Sequence, residues 1–273
     1  MFNSLVPRVR NTFPGGGVKE RIFFMHVPKC GGTSTDSAFR KCYLTLDIRQ
    51  DSRLVRFDSR AYAKAASVLH GHDLGQGYQG ELDVLEFSEK FLAYNMSRPN
   101  VRYISGHISF NQRIFDEYNE QYKYITVLRD PIKMVVSSYF YAKYRDNDHW
   151  QIEEDFPEFL STDRGKSLGC RYVKYLSGLK QGTDFTSQDS IEQAKANLSQ
   201  FDLVGILEDL GTFAIAFQNR FRVRLDIPTR NVSPVSDSFR KEKITDEVYE
   251  IIKKVCAPDI EVYNHARSMT SKA

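Results

Sequence analysis

Short apolar runs separated by amphipathic stretches set the pattern of this chain. Residues 21–27, "RIFFMHV", form an apolar run closed by Pro28, which predicts a buried strand. Ser34 is a good N-cap, and Ala38, Phe39 and Cys42 come after it at helical spacing, predicting a helix from 34 to 43. "VRYIS" (101–105) and "YKYITVL" (122–128) read as further strands. Pro131 suits the first turn of a helix, and Ile132, Val135, Val136, Tyr139 and Phe140 mark one helical face, so a helix is expected over 131–144. A helix is expected around "RYVKYLSGL", another over 190–201, a fourth strand over 202–207 and an amphipathic helix over 210–221. Thr245 caps a last helix that places Val248, Ile251, Ile252 and Val255 on one side. Residues 45–100 show no single period, and "GHDLGQGYQG" near their middle reads as a loop.

Strands alternating with helices predict an α/β fold: a three-layer sandwich whose central parallel sheet is covered by helices on both faces. Ligands of such sheets bind beyond the carboxyl ends of the strands. Lys29, His107, Arg129 and Glu208 each come just after a predicted strand, so one sheet edge is expected to gather them. Residues 1–20, ending near Gly15-Gly16-Gly17, read as a flexible lead-in, and 21–273 as a single domain.

Composition changes this picture little. With 41% hydrophobic and 27% charged residues and a net charge of +3, the chain reads as soluble, and its mild charge gives no reason to expect a nucleic-acid partner. No apolar run is long enough to span a bilayer, and no signal peptide is recognisable. Cys30, Cys42, Cys170 and Cys256 are scattered without a C-x-x-C pair and read as thiols in a reducing compartment. The His70-Gly71-His72 pair lacks the further ligands of a zinc site, so no metal is expected.

The stretch "PKCGGTS" joins a lysine, two glycines and two hydroxyls where a strand hands over to a helix, an arrangement suited to a phosphate. Lys29 precedes the glycines, so this is not the G-x-x-x-x-G-K-[ST] loop of ordinary nucleotide-binding proteins. Gly31 and Gly32 permit close backbone approach, while Thr33 and Ser34 add hydroxyl donors. In "VLRDPIKMVVSS", Arg129 can grip a phosphate with its fork and Ser137 can donate to the same group; alternatively, Arg129 pairs with Asp130 or another acid and Ser137 is an interhelical serine.

Together the two stretches resemble sulfotransferases that use 3′-phosphoadenosine 5′-phosphosulfate (PAPS), in the carbohydrate-directed branch that includes heparan and uronyl 2-O-sulfotransferases and bacterial relatives. The resemblance runs from about 21 to 267 and is poor through 45–100 and 145–185. It implies a sulfotransferase fold, similar to that of P-loop nucleoside triphosphatases. It further implies that Lys29, Gly31, Gly32, Thr33 and Ser34 bind the 5′-phosphosulfate and that Arg129 and Ser137 bind the 3′-phosphate. Lys29 would also assist the leaving oxygen. The segment "GHISF" resembles the stretch whose histidine is the general base, which makes His107 the expected base here. Glu208 and Asp209 are rival bases, or helix caps. Arg240 and Lys241, in a late loop "NVSPVSDSFRKEK" expected to close over the nucleotide, are expected at the 3′-phosphate.

The expected activity is therefore PAPS-dependent sulfation of a hydroxyl, on a glycan or glycolipid, without a metal. Segments 45–100 and 145–185 would shape the acceptor pocket. A nucleotide kinase-like phosphotransferase and a non-catalytic nucleotide- or polyanion-binding module are the alternatives. The absence of an anchor fits a cytoplasmic, bacterial enzyme, with an excised Golgi-luminal domain as the other reading.

Overall fold

The computed structural model describes residues 17–43, 53–71, 78–145, 151–180, 182–228 and 234–271. Among them, β1 (Arg21–Met25), β2 (Leu54–Arg56), β3 (Tyr103–Gly106), β4 (Tyr122–Leu128) and β5 (Leu203–Ile206) form a parallel sheet in the order β2-β3-β1-β4-β5. Strand β1 pairs with β3 on one side and β4 on the other, Met25 lying opposite Gly106 and Thr126. The carboxyl ends of these three strands are therefore level, and the segments leaving them meet at one edge.

The inner strands are mostly apolar because both of their faces are covered. Phe23 and Met25 of β1 face one core, with Ile104, Tyr124 and Leu128; Ile22 and Phe24 face the other, with Tyr103, Ile125 and Val127. Helices α1 (Gly32–Tyr43) and α10 (Leu210–Phe221) cover this second face, where Phe39 meets Phe217 with ring centroids 5.2 Å apart. The first face carries α5 (Pro131–Tyr144), α8 (Arg171–Leu176), α9 (Gln188–Leu198) and α13 (Ala257–Thr270).

Several expectations need correction. Helix α1 begins at Gly32, so Ser34 sits in its first turn and is not its cap. The stretch 45–100 contributes β2 to the sheet, then α2 (Ser59–His70) and α3 (Tyr78–Ser97). Helix α3 takes in the end of the expected loop, and it shows no single stripe because it packs two ways: Leu82, Leu85, Leu92 and Met96 toward the main core, Phe87 toward Tyr62 and Ala66 of α2. Short helices α4 (Gln112–Tyr118), α6 (Phe156–Ser161) and α7 (Asp163–Gly169) also carry no clear period in the sequence. The late loop ends in a helix, α11 (Asp237–Lys243), and α12 (Asp246–Val255) comes next with Thr245 as its cap. Residues 1–16 of the lead-in lie outside the described residues, whereas Val18 is buried and its N–H donates to the Cys42 carbonyl. No helix among the described residues is long and apolar enough to cross a membrane.

Asp259, in the first turn of α13, is fully buried and accepts from the Tyr172 and Val173 N–H groups at 2.8 and 3.1 Å, tying down the start of α8. Its second oxygen has no hydrogen-bond partner, and burial raises its pKa to about 7. An acid whose folded pKa is raised binds its proton more tightly folded than unfolded, so its ionisation costs stability as pH rises from the ordinary carboxyl range to about 7. Asp259→Asn is expected to lose less stability than the wild type between pH 4 and 7, as measured by urea denaturation across that range.

Candidate active site

The turn after β1 carries local strain. Lys29 has φ +66° and Gly31 φ +71°, and a left-handed backbone costs a lysine about 1–2 kcal/mol. The turn is closed by the Cys30 N–H donating to the Val27 carbonyl at 3.4 Å. Past it, the N–H groups of Gly32, Thr33 and Ser34 occupy the first turn of α1, where backbone donors have no partner inside the helix. Gly32 cannot be replaced without movement, since a Cβ there would lie 1.7 Å from the His26 ring.

His26 was not anticipated from the sequence. Its ring lies 4.4 Å from that of His107, centroid to centroid, and 5.8 Å from Phe24 in a parallel stack. Its carbonyl takes a hydrogen bond from His107 Nδ1 at 2.6 Å, while Tyr62 OH donates to the His107 carbonyl at 3.1 Å. With a carbonyl as its partner, Nδ1 carries the proton and Nε2 is left as the basic nitrogen. Burial holds the His107 pKa below the usual histidine value; the charges of Arg171 and Arg56 push the same way, while the His26 hydrogen bond and Glu81 oppose. Burial, His107 and Arg56 lower His26 further still.

Arg129 comes directly after β4, and its Nη1 donates to the Lys29 carbonyl at 3.2 Å, linking the two expected anion-binding stretches directly. It makes no pair with Asp130, whose carboxylate instead caps α5 through the Lys133 N–H at 2.9 Å. The Arg129 Nε is buried without a hydrogen-bond partner. Lys29 Nζ lies 3.6 Å from the centre of the Tyr141 ring, and Arg145 lies 4.8 Å from it. Burial and the charges of Arg129, Arg171 and Arg145 lower the Lys29 pKa to about 8. Ser137 lies on α5 between Met134 and Tyr141 and is half-buried.

Tyr172, also unanticipated, braces both stretches. Its hydroxyl donates to the Arg129 carbonyl at 2.5 Å, accepts from the Arg129 N–H at 3.1 Å and lies 3.4 Å from the Cys30 thiol. Burial raises the Cys30 pKa to about 11, so the thiol is unreactive at neutral pH.

Other expected residues serve elsewhere. Glu208 accepts from the Asp130 N–H at 3.2 Å and from Tyr263 OH at 3.2 Å, and Asp209 caps α10 through the Thr212 N–H. Arg240 and Lys241 lie on α11, which approaches α5 through Phe239 against Phe140 and Tyr144; Lys241 is exposed. His72 lies outside the described residues. Among the described residues, no three metal-binding side chains are grouped.

A strained turn with free helix donors, a lysine and an arginine that pair with no carboxylate of the described residues, and a neutral histidine make an anion site next to a base. Comparison with known proteins agrees with this chemistry. Residues 18–266 match a family model described as the sulfotransferase family. Over 150 residues the chain is 25% identical to heparan sulfate 2-O-sulfotransferase 1 of Mus musculus, a match covering 50% of this chain and 41% of that protein. The chain thus matches less than half the length of that relative.

Two substitutions test the site's construction. Gly32→Ala is expected to displace His26 and abolish activity while the thermal unfolding midpoint changes little. Tyr172→Phe removes one hydroxyl from three partners and, if the site takes a sulfotransferase's nucleotide, is expected to weaken binding of adenosine 3′,5′-bisphosphate about tenfold, read by calorimetry.

Proposed function

The chain belongs to the sulfotransferase family, and from that premise we propose that it transfers the sulfonate of PAPS to a hydroxyl group of a carbohydrate or glycoconjugate. The observation that carries this reading is the hydrogen bond from Arg129 to the Lys29 carbonyl, which joins the two anion-binding stretches beside His107. The residues suit the donor: the Arg129 Nε is buried without a partner, and the first-turn N–H groups of α1 are unspent. When bound, the donor supplies an activated sulfonate on a phosphosulfate anhydride.

His107 Nε2 takes the acceptor's hydroxyl proton while the acceptor oxygen forms its bond to sulfur. The bond from sulfur to the bridging oxygen breaks, and that oxygen keeps the electron pair as part of adenosine 3′,5′-bisphosphate. Lys29 stabilises the charge growing there, as preorganised donors do at developing charge. Arg129 and Ser137 hold the 3′-phosphate, while Gly31, Gly32, Thr33 and Ser34 line the 5′ side. Arg240 and Lys241 add positive charge from α11. Arg56, at the end of β2, pairs with the buried Asp36 at 3.7 Å and keeps its side chain 55% exposed, so its outer face adds positive charge near the histidines for an acidic acceptor. The relative's name supports a glycan acceptor.

The free enzyme needs His107 neutral and Lys29 charged. The kcat/KM profile for PAPS is therefore expected to be bell-shaped, its acid limb below the usual histidine range and its alkaline limb near 8.

Titration of the bisphosphate and of Mg-ATP into wild type and Arg129→Ala tests the assignment. Metal-independent binding of the bisphosphate, lost in the variant, is expected, and preference for Mg-ATP would favour a phosphotransferase. His107→Ala is expected to abolish turnover with bisphosphate affinity unchanged; a binding module would show no turnover in the wild type.

A further inference from the structure

Arg171 opens α8 beside this site, and neither of the two anion-binding stretches includes it. Its Nη1 donates to Ser138 Oγ at 3.1 Å and lies 3.5 Å from Met134 Sδ, which fixes the guanidinium against the face of α5. Its Nε is buried without a hydrogen-bond partner, and no carboxylate of the described residues pairs with it. Two acids lie within reach of its charge: Glu81 is already bound to Lys174 at 2.6 Å, and Asp259 accepts from the Tyr172 and Val173 N–H groups. A half-buried guanidinium with a buried, unpartnered Nε and no direct carboxylate pair is costly, and one hydroxyl does not compensate it. An oxyanion does, because the planar fork offers parallel donors matched to two oxygens.

The position of Arg171 indicates which oxyanion. The adjoining Tyr172 is bonded to Arg129 and lies against Cys30, so α8 abuts both strand-end segments. Arg129 acts on Lys29 and Arg56 acts on His107, but Arg171 acts on both Lys29 and His107. Its charge therefore bears both on the group that assists departure of the leaving oxygen and on the base that prepares the acceptor.

We propose that Arg171 is a further catalytic residue of the reaction assigned above, donating from its guanidinium to the non-bridging oxygens of the sulfonate in transit. It keeps its own proton throughout: the acceptor proton goes to His107 Nε2, the acceptor oxygen–sulfur bond forms, and the electron pair of the broken bond stays on the bridging oxygen. The inference rests on that assignment and is separated from it by comparing two ligands that differ by the sulfonate.

PAPS and adenosine 3′,5′-bisphosphate are titrated calorimetrically, without acceptor, into wild type, Arg171→Gln and Arg171→Lys. The wild type is expected to bind both. Arg171→Gln is expected to weaken PAPS about 10- to 100-fold, the range of a charge-assisted hydrogen bond, and to leave the bisphosphate within about threefold. Arg171→Lys, which keeps the charge without the fork, is expected to recover part of the loss and guards against a glutamine variant that fails to fold. Equal weakening of both ligands in the variants would make Arg171 a scaffold or 3′-phosphate residue and overturn the proposal, as would unchanged affinity for PAPS. If the wild type binds neither ligand, the sulfotransferase assignment itself falls and this proposal with it.

Discussion

Mutual repulsion among cations held away from carboxylates is the constraint around which this structure is arranged. Lys29, Arg129 and Arg171 converge past the ends of the sheet, and burial together with these two arginines and Arg145 pushes the Lys29 pKa down to about 8. Such a cluster opposes folding, so it persists only where the surrounding structure over-determines it. Parallel pairing does the first part of that work: Met25 is registered against both Gly106 and Thr126, which forces the segments after β1, β3 and β4 into one place. The left-handed backbone at Lys29 then turns its side chain onto Tyr141.

The buried hydrogen bonds around the cluster answer the same constraint. The Arg129 backbone is gripped at both N–H and C=O by the Tyr172 hydroxyl, and Tyr172 is set in turn by the Asp259 carboxylate on its N–H. Asp259 leaves one oxygen unsatisfied, a cost consistent with a role in fixing geometry. On the other side, Asp36 of α1 accepts from Tyr103 OH at 2.9 Å and Ser105 Oγ at 2.5 Å, so the helix that begins at the anion turn is fastened to the strand that ends at His107. Donor side and base side are thereby held by one set of buried contacts.

The elements with one clean period were legible in the sequence. The helix expected over 131–144 is α5, whose buried positions follow one helical stripe, and the strand expected over 122–128 is β4, legible as a bounded run of β-branched and aromatic residues although both its faces are buried. The three-residue strand β2 and the two-sided helix α3 were not legible, since neither presents a single face to a single core. At the site, residues carried by local motifs could be named in advance. His26, Tyr141, Arg171 and Tyr172 could not, because their roles arise from contacts with residues far along the chain. One signal was available: Arg171 places a positive charge at the start of a helix, against the usual preference for acids there.

The roles of the acids and the histidine are set by their partners. Glu208 and Asp209 come after a strand end as His107 does, and strand position alone did not separate them. Glu208 is occupied by the Asp130 N–H and Tyr263, and Asp209 by the start of α10, so each carboxylate offers its lone pairs to the scaffold. His107 gives Nδ1 to the His26 carbonyl and so leaves Nε2 free with its lone pair intact. The neighbouring charges of Arg171 and Arg56 would make a carboxylate a weaker base by holding its proton off. The same charges, with burial, keep an imidazole neutral at the pH where it has to accept a proton. On the proposed mechanism, a base beside this positive charge is best built from histidine, and the electrostatics that would attract an anionic donor would also keep that histidine neutral.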